Sequence, residues 1–333
     1  MRIMVTGGAG FIGSHYVRRM LRKPYVGDGS TNGTAEIIVL DLLTYAGSES
    51  NLTEVAGSPR YRFVRGDIRD AGLVTDLMAG VDLVVHFAAE SHVDRSITGA
   101  ADFVSTNVGG TQVLLQAALE CGVAKFVHVS TDEVYGSIPE GSWTEDHVLE
   151  PNSPYAASKA ASDLIARAYH RTHGLPVCIT RCSNNYGPYQ FPEKVIPLFV
   201  TNLLDGRKVP LYGDGGNVRD WLHVDDHCRA VQMVAERGRP GEIYNIGGGT
   251  ELSNRELTAV LLEATGHDWS MVEPVADRKG HDRRYSVDDA KIVRELGYAP
   301  TVSFSDGIAQ TVRWYRSRRD WWQPLRARAA SAP

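Results

Sequence analysis

The chain opens Arg2-Ile3-Met4-Val5-Thr6-Gly7-Gly8-Ala9-Gly10-Phe11-Ile12-Gly13-Ser14, and this stretch decides the fold. A strand-like run through Thr6 is followed at once by glycines at 7, 10 and 13, then by a helical pattern through Ser14, Val17 and Leu21. Glycines so spaced permit a tight turn, let the main chain approach a pyrophosphate and let the helix pack closely on the strand; this is a variant of the dinucleotide fingerprint. A second strand, Ile37 to Leu40, ends in Asp41, whose carboxylate suits an adenosine ribose and repels a 2′-phosphate. The expected cofactor is therefore NAD rather than NADP. The stretch from Lys23 to Thr34, rich in Gly, Ser and Asn, reads as an inserted surface loop.

Strand and helix patterns keep alternating beyond that turn. Tyr61–Val64, Leu83–Phe87, Phe126–Val129 and Val177–Thr180 read as strands; Ala71–Met78, Gly110–Glu120 and Tyr155–His170 read as helices. Such alternation predicts an α/β fold: an NAD-binding, Rossmann-type, doubly wound parallel sheet. From Asn184 the pattern loosens into helices near Phe191–Leu204, Asp225–Glu236, Asn254–Ala264 and Phe304–Arg316, with a strand at Glu242–Ile246 returning to the main sheet. The expected division is a dinucleotide domain over 1–183, rejoined by roughly 220–248, and a smaller interleaved C-terminal α/β substrate lobe from 184–219 and 249–333.

Composition narrows the partners. The 333 residues are 43% hydrophobic and 23% charged with a net charge of −5, ordinary for a globular protein and unsuited to nucleic acid or an anionic membrane. No apolar run approaches the roughly 18 residues of a membrane span, and no signal peptide precedes the first strand, so a cytoplasmic enzyme is expected. The four cysteines, Cys121, Cys178, Cys182 and Cys228, lack zinc or redox spacing and read as packed thiols. His223 and His227 lie four apart, but Asp225 between them suits an N-cap for the next helix, and no metal site is expected. Trp314, Trp321 and Trp322 read as aromatic packing at the edge of the lobe.

The chemistry lies in two short runs. Thr131-Asp132-Glu133 follows the strand Lys125–Ser130, placing a hydroxyl and two carboxyls at a strand's carboxyl end, where open α/β sheets bind ligands. Tyr155 and Lys159 stand at i and i+4 on a helix beginning near Ser153, so an ammonium close to the phenol is expected to lower its pKa from about 10. A tyrosinate can take the proton of an alcohol while a dinucleotide takes hydride, and adjacent carboxyls can move further protons.

With these residues in place, the chain resembles the extended short-chain dehydrogenase/reductase superfamily and, within it, the dTDP-glucose 4,6-dehydratase family. The likeness runs through Asp41-Leu42-Leu43-Thr44-Tyr45-Ala46-Gly47, Phe87 to Ser96, Ser130 to Gly136, Asn184-Asn185-Tyr186-Gly187-Pro188, Arg219 to His227 and Gly280 to Tyr285. The Asp132-Glu133 pair is its specific element, since the related epimerases usually carry small residues there and the decarboxylases Ser-Glu. Leu42 and Lys279 depart from the family's usual basic residue and proline. The resemblance implies an NAD-dependent hydro-lyase acting on dTDP-glucose for deoxysugar biosynthesis, and a homodimer built on a four-helix bundle. It implies cofactor contacts from Gly7, Gly10, Phe11, Ile12, Gly13, Asp41, Leu42, Leu43, Thr44, Asp67, Ile68, Phe87, Ala88, Ala89, Ser91, Thr106, Tyr155, Lys159 and Asn185. Substrate contacts are implied for Ser91, Thr131, Asn184, Lys194, Val195, Pro210, Leu211, Tyr212, Arg219, Asn254, Arg278 and His281. Tyr155 is the expected first base with Lys159 beside it and Thr131 hydrogen-bonding the same oxygen, Glu133 the C5 base and Asp132 the acid for the leaving hydroxyl. The competing readings are a nucleotide-sugar 4-epimerase, another nucleotide-sugar 4,6-dehydratase and a non-catalytic NAD-sensing protein; the last needs neither the Tyr/Lys couple nor the carboxyl pair.

Overall fold

The computed structural model describes residues 1–25 and 34–331, so most of the expected loop at 23–34 lies outside the described residues. Its strands are β1 (Arg2–Thr6), β2 (Glu36–Asp41), β3 (Tyr61–Arg65), β4 (Leu83–His86), β5 (Lys125–Thr131), β6 (Val177–Cys182), β7 (Asn184–Tyr186), β8 (Val209–Tyr212), β9 (Val218–His223), β10 (Ile243–Ile246), β11 (Glu251–Ser253) and β12 (Val272–Val275). The helices are α1 (Phe11–Arg22), α2 (Ala71–Met78), α3 (Val93–Thr98), α4 (Ala100–Phe103), α5 (Thr111–Glu120), α6 (Pro154–His173), α7 (Val195–Leu204), α8 (Val224–Arg237), α9 (Asn254–Thr265), α10 (Ala290–Leu296), α11 (Phe304–Ser317) and α12 (Arg319–Ser331).

Seven strands form one parallel sheet in the order β10-β6-β5-β4-β1-β2-β3. This is the doubly wound sheet expected from the sequence, with the strand order reversing between β1 and β4. Strands covered on both faces need apolar side chains at every position, and Ile3, Met4 and Val5 of β1 are all fully buried. One face packs on α1 and α8 through Tyr16, Val17 and Val231; the other packs on α2, α5 and α6 through Val74, Leu114 and Ala166. The chain returns to this sheet through α8 and β10, whereas β9 pairs with β7 and β11 in a separate three-stranded sheet. A further core joins α7, α9 and α11 through Phe199, Leu261 and Ile308, with Trp322 wholly buried beneath them.

Local signals explain why α6 carries the chemistry at a fixed place. Ser153 caps it by accepting from the Ala156 N–H at 3.1 Å, Pro154 occupies its first turn, and Gly174 ends it in the left-handed region at φ 73°. The cap of α8 differs from expectation. His223 is the N-cap, its ring nitrogen accepting from the Asp225 N–H, because the Asp225 carboxylate is held instead by His15 and Arg19 of α1 and by Tyr25.

Candidate active site

The carboxyl ends of the central strands open into a single large cleft at the point where the strand order reverses. Gly7 turns into it at φ 69°, and a Cβ there would lie 2.5 Å from the Ala88 nitrogen; one on Gly13 would lie 2.3 Å from the Gly7 carbonyl oxygen. Only glycine allows the turn to close this tightly. The N-terminus of α1 has no side-chain cap, leaving first-turn N–H groups for an anion. Asp41, at the end of β2, accepts from the Ala9 N–H at 2.9 Å and the Leu43 N–H at 2.8 Å, and burial nonetheless holds its carboxyl above the usual range. Tight turn, free helix terminus and carboxylate together fit a dinucleotide with an unphosphorylated ribose.

Of the residues expected at the cofactor, Gly7, Gly10, Phe11, Ile12, Gly13, Asp41, Leu42, Thr44, Asp67, Ile68, Phe87, Ala88, Ala89, Ser91, Thr106, Tyr155, Lys159 and Asn185 border this cleft. Leu43 does not: its backbone, at φ 57°, aims the N–H at Asp41 while the side chain packs on the sheet core. Thr106 is delivered by a π-helical segment, Val104–Gly110, whose Asn107 side chain donates to Ser158 on α6 at 2.8 Å.

Thr131 ends β5, and Asp132–Tyr135 form one tight helical turn. The Thr131 hydroxyl accepts from the Glu133 N–H and donates to Asp132 Oδ1, both at 3.2 Å, while Asp132 Oδ2 is buried without a protein partner. Burial first, and then the charges of Glu133 and Asp220, push the Asp132 carboxyl well above the carboxylate range. Burial also raises Glu133, but the cations of Arg219, Arg278 and Lys194 oppose it. Both carboxyls are thus raised, Asp132 the more strongly, which makes Asp132 the better placed of the two to keep a proton.

Tyr155 faces the same cleft, but its phenol departs from expectation. Burial and the Glu133 carboxylate push it well above 10, with only the Thr131 hydrogen bond opposing among the nearest groups. Lys159, one turn along, gives its ammonium to the Val129 carbonyl oxygen, and burial brings it down to about 8. With Lys159 turned to Val129, burial and the Glu133 carboxylate set the direction of the phenol, against the ammonium effect that was expected.

On the substrate side, Asn184 and Lys194 border the cleft, and Lys194 donates to the Ser91 carbonyl at 3.0 Å. Arg219 and Arg278 stand farther out; Arg219 donates to the Asp282 carbonyl at 2.9 Å, and Arg278 lies 3.6 Å from Asp94. His281 pairs with Asp277 at 2.6 Å and meets the Tyr212 ring edge-on, with Pro210 and Leu211 preceding Tyr212 on β8. Val195 opens α7 and packs on the lobe core, and Asn254 opens α9.

The cleft also has walls that the sequence reading did not assign. Tyr45 meets Phe191 edge-on at 5.7 Å, Arg95 lies over the Tyr45 ring at 3.9 Å, and Glu193 is 3.7 Å from Arg95. Cys182 borders the cleft as well, beyond the packing role expected of it. Position within the run Asp41 to Gly47 was the available signal for Tyr45; the helix expected from Phe191 begins only at Val195, and the residues before it form a loop at the cleft.

A tyrosine and a lysine one helical turn apart at the switch-point cleft define an extended short-chain dehydrogenase/reductase, a class holding both epimerases and dehydratases. A family model described as GDP-mannose 4,6 dehydratase matches residues 4–311. A dTDP-glucose 4,6-dehydratase from Streptomyces antibioticus is 64% identical over 99% of this chain and 97% of its own. The crystal structure of a dTDP-glucose 4,6-dehydratase from Streptomyces venezuelae, with NAD bound, superposes with a TM-score of 0.94 at 67% identity, over 98% of this chain and all of its own (100%). A UDP-glucose 4-epimerase from Thermotoga maritima shares the fold at a TM-score of 0.85 but only 33% identity, over 95% of this chain and 99% of its own. The chain belongs to the dTDP-glucose 4,6-dehydratase family.

Proposed function

We propose that this chain is an NAD-dependent hydro-lyase that converts dTDP-glucose into its 4-keto-6-deoxy product. The observation that carries the reading is the carboxyl pair at the end of β5: Asp132 buried with its Oδ2 free of protein partners, beside Glu133, whose ionised form the charges of Arg219, Arg278 and Lys194 favour. A 4-epimerase needs a proton relay at C4 alone and has no use for a second acid and base.

The glycine turn, the first turn of α1 and Asp41 hold NAD, and Arg219, Arg278 and Lys194 hold the anionic sugar nucleotide. NAD, when bound, supplies a positive charge beside Tyr155 and the acceptor and later donor of one hydride. Thr131 and Tyr155 meet the hexose 4-hydroxyl, and Tyr155 takes its proton as C4 is oxidised to the ketone. That ketone acidifies the C5 hydrogen, which Glu133 removes. Asp132 gives its proton to the C6 hydroxyl, which leaves as water. As C6 is reduced, Glu133 returns a proton to C5, so the cycle is redox-neutral, and the residues end as they began once Tyr155 releases the proton it took from the 4-hydroxyl and Asp132 regains one.

The dinucleotide body comprises 1–183 with roughly 220–248, and the substrate lobe 184–219 with 249–333; the joining of α8 and β10 to the large sheet supports that division. The working form is a homodimer through α5 and α6, supported by Leu164 standing 54% exposed on α6. Sedimentation showing monomer alone at micromolar concentration would reject it. The chain works in the cytoplasm, a reading that four free cysteines and the lack, among the described residues, of a helix able to cross a membrane support. Incubating purified protein with dTDP-glucose and developing the 4-keto chromophore in base tests the reaction. A galactose-configured product in place of that chromophore overturns it in favour of the epimerase.

A further inference from the structure

The aromatic residues near the C-terminus have no part in the reaction above, yet they reach the walls of the cofactor cleft. The Trp321 indole donates to Asn51 Oδ1 at 2.9 Å. Asn51 is 2% exposed, and its Nδ2 donates in turn to the Ala9 carbonyl oxygen at 2.8 Å, which the Ser48 N–H reaches at 3.1 Å. Ala9 lies inside the glycine turn, and its own N–H donates to Asp41 Oδ2 at 2.9 Å. One unbroken line of hydrogen bonds therefore runs from α12 through the glycine turn to the carboxylate at the ribose end of the cleft. The opposite wall is tied to the same place. The Tyr189 ring packs against Trp314 at 4.5 Å and Trp321 at 5.5 Å, and Tyr315 donates to the carbonyl oxygen of Gln190, which borders the cleft.

We infer that α11 and α12 form a clasp across the cofactor cleft, and that Trp321 is a positioning residue that sets how long NAD stays bound. This rests on the NAD reading above. Without the indole donor, a buried Asn51 oxygen is left unsatisfied, which is costly, and the side chain relaxes by giving up Ala9. The Ala9 carbonyl then keeps only the longer bond from the Ser48 N–H, and the turn that cradles the pyrophosphate loosens.

The test is Trp321→Phe, which keeps an aromatic ring against Tyr189 and removes the donor. Protein loaded with radiolabelled NAD is mixed with excess unlabelled NAD, and retained label is followed by rapid filtration. The expected result is release faster by about tenfold, the scale of one hydrogen bond, with KM for NAD rising more than kcat falls. Asn51→Ala, which leaves α12 untouched, is expected to speed release by a similar factor, and the double variant by no more than either alone; it also tests the line if Trp321→Phe does not fold. Release at the wild-type rate from folded Trp321→Phe, or effects of the two variants that simply multiply, overturns the clasp. Wild-type protein that never binds NAD overturns the dinucleotide reading itself, and the clasp with it.

Discussion

Lys159 gives its ammonium to the Val129 carbonyl oxygen at 2.8 Å, so the cation beside Tyr155 is moored to the end of β5 rather than bonded to the phenol. Burial raises Tyr155 and lowers Lys159, and both shifts favour a neutral pair. Burial therefore works against the ionised phenol that must take the 4-hydroxyl proton, and its ionisation depends on positive charge gathered at the site.

Tyr155→Phe removes the group that takes the 4-hydroxyl proton while leaving the ring's packing against Phe103 intact. The oxidation step is expected to slow by roughly two to four orders of magnitude. Stopped-flow absorbance of reduced NAD on mixing with dTDP-glucose checks it, and a near-normal rise would remove Tyr155 from that role.

Lys159, at about 8, loses its charge within the working range of many enzymes. Deprotonation above that pH withdraws the cation, so the oxidation rate is expected to fall as pH rises through about 8. Lys159→Arg, slower throughout because of its bulk, is expected to lack that fall, since its guanidinium stays charged. A wild-type profile flat from pH 7 to 9 would exclude Lys159 as the titrating group.

Behind the active site, Asp163 is fully buried between His128 at 3.2 Å and Arg181 at 2.9 Å. Burial opposes its ionisation, but Arg181 and His128 prevail and hold the carboxyl at about 2, below its ordinary 3.8. A depressed acid contributes stability that is complete above the unfolded pKa and is lost as pH falls through the folded one. Part of the acid unfolding between about pH 4 and 2 therefore belongs to Asp163. Asp163→Asn is expected to cost about 3–5 kcal/mol at pH 7 by stranding Arg181, and to flatten that limb. Urea midpoints at pH 7, 4 and 3 check both.

The sheet and the reacting groups were legible because their signals are local. A glycine spacing, an apolar strand and a tyrosine four residues before a lysine each need only a short window of sequence. What escaped depends on distant chain. Asp225 looked like a cap until His15, Arg19 and Tyr25 took its carboxylate from the first helix and the segment after it. The rise of Tyr155 is a burial effect that no neighbour in sequence reports. Leu43 was counted with its run, but a left-handed backbone turns it into the core. Glu193 and Phe191 come from a loop whose place over Tyr45 is set by tertiary packing.

The carboxyl pair separates elimination from oxidation. Asp132 is raised chiefly by burial and then by Glu133, so neutralising Glu133 eases Asp132 back down, yet their assigned tasks differ. Glu133→Gln keeps the side chain's size and its N–H bond to Thr131, so hydride transfer from C4 is expected to proceed while the C5 proton stays in place. Absorbance of reduced NAD should then accumulate with substrate, alongside a 4-keto hexose that keeps its C6 hydroxyl. Asp132→Asn should also stall before loss of water, but Glu133 remains able to exchange the C5 hydrogen with solvent, and deuterium should appear there. With a neutral amide in place of Asp132, Glu133 loses nothing it needs as a base, since the cations opposing its burial come from Arg219, Arg278 and Lys194. Mass spectrometry of the recovered sugar nucleotide after incubation in deuterium oxide distinguishes the two variants. Glu133→Gln forming the 6-deoxy product at near wild-type rate would defeat the assignment of Glu133 as the C5 base.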